Sequence, residues 1–232
     1  VIEVELGGGR WQLLAQRAAL CVAERLLVVA DVHLGKAATF HARGVPLAAA
    51  VADFSTAENL ARLSALIETL APRTLVFLGD LWHAHEALAP ATVARVAAWR
   101  HRHAAVEMVL VEGNHDARAG AAPAELGLCV VEEPWPVAGV HLAHHPLWLD
   151  DATVLAGHLH PAVRVYGRAD DSARLPCFWW RRRRFVQSAL LLLPAFGEFT
   201  GAAAIRREAG DRVLAVAGDR LFEIPVSGAV AA

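Results

Sequence analysis

The chain has 232 residues, 56% hydrophobic and 20% charged, with a formal net charge of -2, a length that suits one large domain or two small ones with a sizeable core. Its longest apolar stretch, Ala189 to Phe196, is broken by Pro194 and falls short of the ~20 residues of a spanning helix, so no membrane segment is expected. Cys21, Cys129 and Cys177 are far apart and lack CxxC spacing, and Val1 to Glu5 resembles no secretory signal, so the expectation is a cytoplasmic chain with neither a disulfide framework nor a thiolate metal site.

Val4 to Leu6, Trp11 to Ala15, Ala19 to Val22 and Leu26 to Ala30 read as short strands separated by Gly7-Gly8-Gly9 and polar breaks. The fourth delivers Asp31 and His33 at its end. From Leu47 to Leu70, Leu60, Leu63, Leu66, Ile67 and Leu70 recur at helical spacing, and Pro72 follows, which predicts a long amphipathic helix. Thr74 to Leu78 is an apolar run ending in Gly79-Asp80; Pro90 to Arg102 opens a helix with proline; Val106 to Val111 is a strand leading to Gly113-Asn114-His115-Asp116. Strand and helix thus alternate to about residue 120, with polar residues at strand C-termini, where open α/β sheets place ligands. Beyond Leu128 short strands predominate: Cys129 to Val131, Val137 to Ala143, Thr153 to Ala156, Val163 to Tyr166, Phe185 to Leu193, Val213 to Ala217 and Leu221 to Ile224. This half reads as mostly antiparallel sheet. The expected architecture is one α/β domain over 1–232, a four-layer α-β-β-α sandwich of two facing sheets with outer helices, since the histidines of the second half must reach the carboxylates of the first.

Five short pieces carry the chemistry. Asp31 and His33 stand at i and i+2, so in extended backbone both face one way and can share a metal. Asp80 follows a buried strand and a glycine, and a carboxylate there can bridge two cations. The Asn114 amide oxygen suits a hard or borderline ion, leaving His115 for the reacting phosphate, with Asp116 to hold its imidazole in one tautomer. His158 and His160 repeat the i, i+2 spacing after Gly157. His144, after an apolar strand, is the natural seventh ligand, ahead of His145 and His141. Asp31, His33, Asp80, Asn114, His144, His158 and His160 supply enough donors for two divalent ions. Four imidazoles, two carboxylates and an amide suit Mn2+, Fe2+ or Zn2+ better than Ca2+ or Mg2+. Such pairs clamp the attacking and leaving oxygens of phosphoester hydrolysis.

In this order DVH, GD, GNHD, HH and GHLH resemble the five blocks of the calcineurin-like metallophosphoesterases, spanning Asp31 to His160. The resemblance implies one metal on Asp31, His33, Asp80 and His160, a second on Asp80, Asn114, His144 and His158, in-line attack by a metal-activated water, and His115 as general acid. Asp31 to Ala38, Gly79 to His83, Leu175 to Trp179 and Leu193 to Gly201 further resemble the bacterial ligase-associated DNA damage-response phosphoesterases, a likeness covering nearly the whole chain. It implies a manganese-dependent nuclease or phosphodiesterase acting on single-stranded or damaged DNA in repair, alongside an ATP-dependent DNA ligase, a helicase and an exonuclease. Gly79-Asp80-Leu81-Trp82-His83 is also similar to the GDLxH block of a repair-nuclease branch of the superfamily, making His83 a second catalytic candidate.

Charge is uneven: eleven arginines against six acids between Pro161 and Arg220 give +5 there and -7 elsewhere. Arg181 to Arg184 follow Trp179-Trp180, a pairing that reads either as phosphate contact with base stacking or as a solvated arginine loop. Lys36 and Arg43 follow the first metal block and read as phosphate contacts or as surface charges. The alternative functions are a small-molecule phosphodiesterase or nucleotide pyrophosphatase with the same metal pair, and a non-catalytic scaffold of the same fold.

Overall fold

The structure, a computed structural model, describes residues 1–45, 49–167, 171–183, 186–198 and 200–225, with backbone alone at 37, 38, 41 and 49–54. The first sheet follows chain order: β1 (Ile2–Leu6), β2 (Gly9–Leu14), β3 (Ala18–Cys21), β4 (Leu26–Ala30), β5 (Thr74–Leu78), β6 (Glu107–Val111) and β7 (Cys129–Val131). β1 to β4 form an antiparallel meander through short turns. From β4 onward the pairing is parallel, because each return passes through helix. α1 (Lys36–Ala42) and α2 (Ala49–Leu70) join β4 to β5; α3 (Pro90–Arg102) joins β5 to β6; α4 (Asn114–Ala119) lies between β6 and β7.

The second sheet contains β8 (Trp135–Val137), β9 (Val140–Ala143), β10 (Thr153–Ala156), β11 (Pro161–Tyr166), β12 (Ser172–Arg182), β13 (Ala189–Leu192), β14 (Ala203–Ala204), β15 (Arg212–Ala217) and β16 (Arg220–Ile224). Its order is β14-β11-β12-β13-β10-β9-β8, with β15 and β16 added on β12. The mostly antiparallel expectation holds for five of the sheet's eight strand pairs among the described residues; β9, β10 and β13 run parallel at the centre, and β14 runs parallel to β11.

Alternation along the strands sorts side chains into layers. Leu27, Val29, Leu75, Phe77, Met108 and Leu110 face Leu60, Leu63 and Leu66 of α2 and Val96 and Trp99 of α3. Val28, Ala30, Val76, Leu78, Val109 and Val111 face the second sheet, meeting Leu142, Leu155, Phe178, Trp180, Leu191 and Leu214. Burial on both faces explains why β4 and β5 read as continuous apolar runs. The outer face of the second sheet, including Val154, Cys177, Trp179, Leu190 and Val213, is covered by Leu147, Trp148, Leu149, Ile205 and Ile224. The expected sandwich is therefore observed, with loop and strand-end residues, among those described, in the layer expected to be helical. No described helix is long and apolar enough to cross a membrane.

Leu26–Ala30, Thr74–Leu78, Pro90–Arg102, Cys129–Val131 and Thr153–Ala156 match their expected bounds. Val137 to Ala143 is instead a hairpin, β8 and β9, turning at Ala138 and Gly139, both with positive φ. The longest strand, β12, is absent from the sequence reading because Pro176 and its charged ends break the apolar pattern. Helices α1 and α4 are likewise unanticipated, being too short to show periodicity. Leu47 and Phe185, the expected starts of a helix and a strand, lie outside the described residues.

Candidate metal centre

The loops after β4 and β5 run side by side. Asp31 N–H donates to the Gly79 carbonyl (3.3 Å), His33 N–H to the Asp80 carbonyl (2.8 Å) and Leu34 N–H to the Leu81 carbonyl (2.7 Å). The parallel pairing of the strands thus continues past their ends and brings Asp31 and His33 beside Asp80. The extended backbone expected at these ligand pairs is corrected: Asp31, His33, His158 and His160 all have φ between 46° and 68°, in the left-handed region. They converge because each pair sits in a tight turn after its strand, not because it prolongs the strand.

From the second sheet, β9 delivers His144 and β10 delivers Gly157-His158 at the same edge. His158 N–H donates to both Asp31 carboxylate oxygens, at 3.1 and 2.9 Å, tying the two sheets together at the site. Two donor groups result. In one, His33 Nε2 lies 3.4 Å from His160 Nε2 and 3.8 Å from Asp80 Oδ2, and His160 Nε2 lies 3.4 Å from Asp31 Oδ1. In the other, His144 Nε2 lies 3.5 Å from Asp80 Oδ1, 3.0 Å from Asn114 Oδ1 and 3.0 Å from His158 Nδ1. The two oxygens of Asp80 therefore face different groups. The seven donors expected from the sequence are all brought together here, and clusters of them lie close enough to share an ion.

The chemistry of this set fits divalent cations. Imidazole nitrogens aimed at one another have no reason to converge unless something between them accepts lone pairs. The outward nitrogens are held accordingly: His144 Nδ1–H donates to the Leu78 carbonyl and His160 Nδ1–H to the Gly201 carbonyl, each at 3.0 Å, so Nε2 of both rings presents its lone pair inward. Burial, then Lys36, holds the His33 imidazole far below its ordinary range; burial and then His144 lower that of His158. Both stay neutral, the form that binds a metal. At His160 burial acts the same way, but the hydrogen bond and charge of Asp31 outweigh it and raise the pKa.

His115 lies at the rim, its side chain 31% exposed, with Nε2 4.0 Å from Asp80 Oδ2. Its Nδ1–H donates to the His83 carbonyl at 2.5 Å and its amide to Asp80 Oδ1 at 2.9 Å. The orienting role expected of Asp116 thus passes to a main-chain carbonyl. Asp116 instead accepts from the amides of Trp82 (2.9 Å) and Gly113 (3.0 Å), joining the loops after β5 and β6; burial pushes its pKa up to about 7 despite these bonds. The His83 ring stacks on His115 at 5.0 Å, and its Nδ1 lies 3.3 Å from His33 Nδ1. Burial and Lys36 bring the His83 pKa down to about 4.

Two glycines explain why these motifs need them. A Cβ on Gly79 would lie 2.2 Å from His144 Nδ1, and one on Gly113 would lie 2.4 Å from the Asp80 amide. Other supports were not legible in the sequence. Glu133 accepts from the amides of His144 (2.6 Å) and His145 (2.8 Å), and His145 Nδ1 lies 2.6 Å from it, which holds His145 as the partner of Glu133. Asn59 of α2 donates to the Val32 carbonyl at 3.1 Å, and Gly35 N–H to Thr56 Oγ1 at 3.2 Å. The segment after β13 threads the site: Phe196 N–H donates to the Ala30 carbonyl and Gly197 N–H to that of Asp31. Only the Gly79, Gly113 and Leu193-to-Gly201 motifs carried a signal for this scaffold.

The basic candidates separate. Lys36 opens α1, half-buried and near enough to Asp80, His33 and His83 for their charges to interact; burial lowers its pKa. Arg43 is committed to Glu86, at 3.0 and 3.2 Å. Arg181 and Arg182 pair with Leu190 and Ala189, and Ala189 is level with Thr153. The site end of these strands is marked by Ala156 and His158. The two arginines therefore sit at the opposite end, about 17 Å from the ligands at ~3.3 Å per residue. The loop of the second alternative is corrected: both belong to strand β12, with Arg181 paired to Glu208 at 2.8 Å and the guanidinia of Arg181 and Arg182 over Trp179 and Trp180 respectively. Arg184 lies outside the described residues.

A model of the calcineurin-like phosphoesterase family matches residues 24–188. Among solved structures, the chain is similar to a nuclease, MPE, of Pseudomonas putida, with 38% identity, a TM-score of 0.79, and coverage of 96% of this chain and 99% of that one. Yfce, a phosphoesterase from E. coli, aligns at 15% identity and a TM-score of 0.39 over 86% of this chain and 97% of its own. No curated protein matches the sequence.

Proposed function

The chain belongs to the calcineurin-like phosphoesterases, and on that premise we propose that it is a Mn2+-dependent dinuclear phosphodiesterase and endonuclease that hydrolyses DNA phosphodiester bonds in repair. One observation carries the dinuclear reading: the oxygens of Asp80 point to different histidine groups, Oδ2 toward His33 and Oδ1 toward His144. Similarity to the P. putida nuclease supports a nucleic acid as the substrate. Asp31, His33, Asp80 and His160 would hold one ion; Asp80, Asn114, His144 and His158 the other. A bound pair supplies charge neutralisation and alignment for in-line displacement at phosphorus.

The remaining work falls to the chain. The His83 carbonyl keeps the His115 ring turned so that Nε2 is open at the rim; a proton carried there passes to the departing oxygen. The His83 ring, stacked on His115, limits the tilt of that ring. Lys36, with its pKa lowered by burial, stands ready to meet a substrate phosphate oxygen. The donor set without thiolate admits Mn2+, Fe2+ and Zn2+, and the resemblance to the ligase-associated phosphoesterases is the reason to name Mn2+ first. The same reading sets the enzyme beside an ATP-dependent ligase, a helicase and an exonuclease.

The test is metal-dependent cleavage compared across a small diester, a monoester, nucleotides, and single- and double-stranded DNA. Mn2+-stimulated nicking of single-stranded or gapped DNA is expected. Ready turnover of small diesters or pyrophosphates with no nicking of any DNA would favour the small-molecule phosphodiesterase instead.

A further inference from the structure

We propose that the ribbon formed by β11 and the first half of β12 binds a single strand of DNA as it leaves the metal centre, an inference that rests on the nuclease reading above. β11 begins at Pro161, the residue after His160, so the ribbon grows directly from the ligand-bearing edge. Its register sets Arg164 opposite Arg174 and Tyr166 opposite Ser172.

Parity decides which way these side chains point. Phe178 and Trp180 lie in the core between the sheets, while Cys177 and Trp179 lie on the outer face with Val163, Val165 and Leu175. Side chains alternate along a strand, so Arg174 shares the face of Phe178. By the pairing, Arg164 and Tyr166 share it too. That face continues the space between the sheets, the side on which Asp31, Asp80 and His115 stand. All three residues are exposed, Tyr166 to 77%.

Two like charges directly opposite each other weaken a strand pair. Among the described residues Arg164 has no ion pair, and Arg174 donates only to the Ala202 carbonyl, at 3.2 Å. Among the described residues no acidic side chain offsets these two charges, whereas a polyanion would supply a counter-charge. The Ala202 contact also anchors Arg174 beside Gly201, whose carbonyl accepts from the His160 ring. Arg164 is four residues beyond His160, about 13 Å along the strand. Arginines placed to take phosphates, with an aromatic ring beyond to take a base, are the elements of a single-strand track.

The test compares wild type with an Arg164→Gln/Arg174→Gln double variant, both loaded with Mn2+, on a 20-nucleotide single strand. Bis(4-nitrophenyl) phosphate, too short to reach the ribbon, is the internal reference. Expected are a roughly tenfold or greater fall in the ratio of DNA to small-diester kcat/KM, and a log-log salt slope of DNA binding shallower by about 1.4, two single-strand phosphate contacts at ~0.7 each. Tyr166→Ala should weaken DNA binding roughly five- to a hundredfold, and Tyr166→Phe should restore it. If wild type cuts DNA and the double variant keeps the same ratio and slope, the ribbon assignment is overturned alone. A parallel loss on both substrates overturns it as well, because the effect is then general. If wild type hydrolyses the small diester but neither binds nor cuts DNA, the nuclease reading fails and the ribbon with it.

Discussion

Asp31, His33, Asp80, His158 and His160 all hold the left-handed backbone conformation, with φ between 46° and 68°. For a residue with a Cβ this costs about 1–3 kcal/mol, and Asp and His are among the side chains that tolerate it best. The ligand types are therefore also the residues best able to make turns this tight. Spacing in the sequence showed that these side chains belong together; it did not show that the turns, rather than extended backbone, aim them. At His115 the outcome is sharper still. The ring is oriented by the His83 carbonyl, and a main-chain acceptor leaves no trace in a motif. His115→Ala should lower kcat on DNA by about 10²- to 10⁴-fold at full metal content. The loss should be much smaller on bis(4-nitrophenyl) phosphate, whose leaving group departs without a proton. Undiminished DNA turnover by a fully metallated variant would remove His115 from proton transfer.

At the level of elements, strand ends bring the donors together, and the helices behind them hold the loops in place. The apolar stripe of α2 was legible from Leu60 to Leu70 because burial on the first sheet demands it. The polar Thr56 and Asn59 on the same helix were not, since their partners are main-chain atoms of the loop after β4. Asn59→Ala leaves the Val32 carbonyl without its donor in a buried place, which costs about 1–3 kcal/mol. Urea unfolding should register that loss, and metal titration should show weaker binding, because Asp31 and His33 flank Val32. Unchanged stability and affinity would mean that the loop is held by its pairing to the β5 loop alone. Strand β12 shows the converse failure. Its continuity across Pro176 depends on pairing with β11 before the proline and with β15 and β13 after it, which its own residues do not record.

Across the molecule, four of the donors come from the first sheet and three from the second, so bound cations would clamp the sandwich at one edge. A ligand that binds only the folded state stabilises it, by about 2.7 kcal/mol at a hundred times its Kd. For a chain of this size each kcal/mol moves Tm by roughly 2–4 °C. Chelation should therefore lower Tm by about 5–10 °C, with Mn2+ restoring it, as read by calorimetry. An identical Tm with and without chelator, in protein shown to bind the metal, would mean that the clamp does not contribute.

By itself the sequence determined the α/β class, the alternating first half, the seven side chains that converge and the family likeness, because each depends on residue type at short spacing or on apolar periodicity. Only the tertiary structure decided that Asp80 faces both donor groups, that Asp116 braces loops instead of His115, and that Arg181 and Arg182 lie at the end away from the ligands. It also decided that Arg164 and Arg174, inconspicuous as isolated charges, stand opposite each other beside the metal edge. Strand register and direction are set by pairing between segments far apart in the chain. They determine which end and which face a side chain occupies, and no local pattern records that choice.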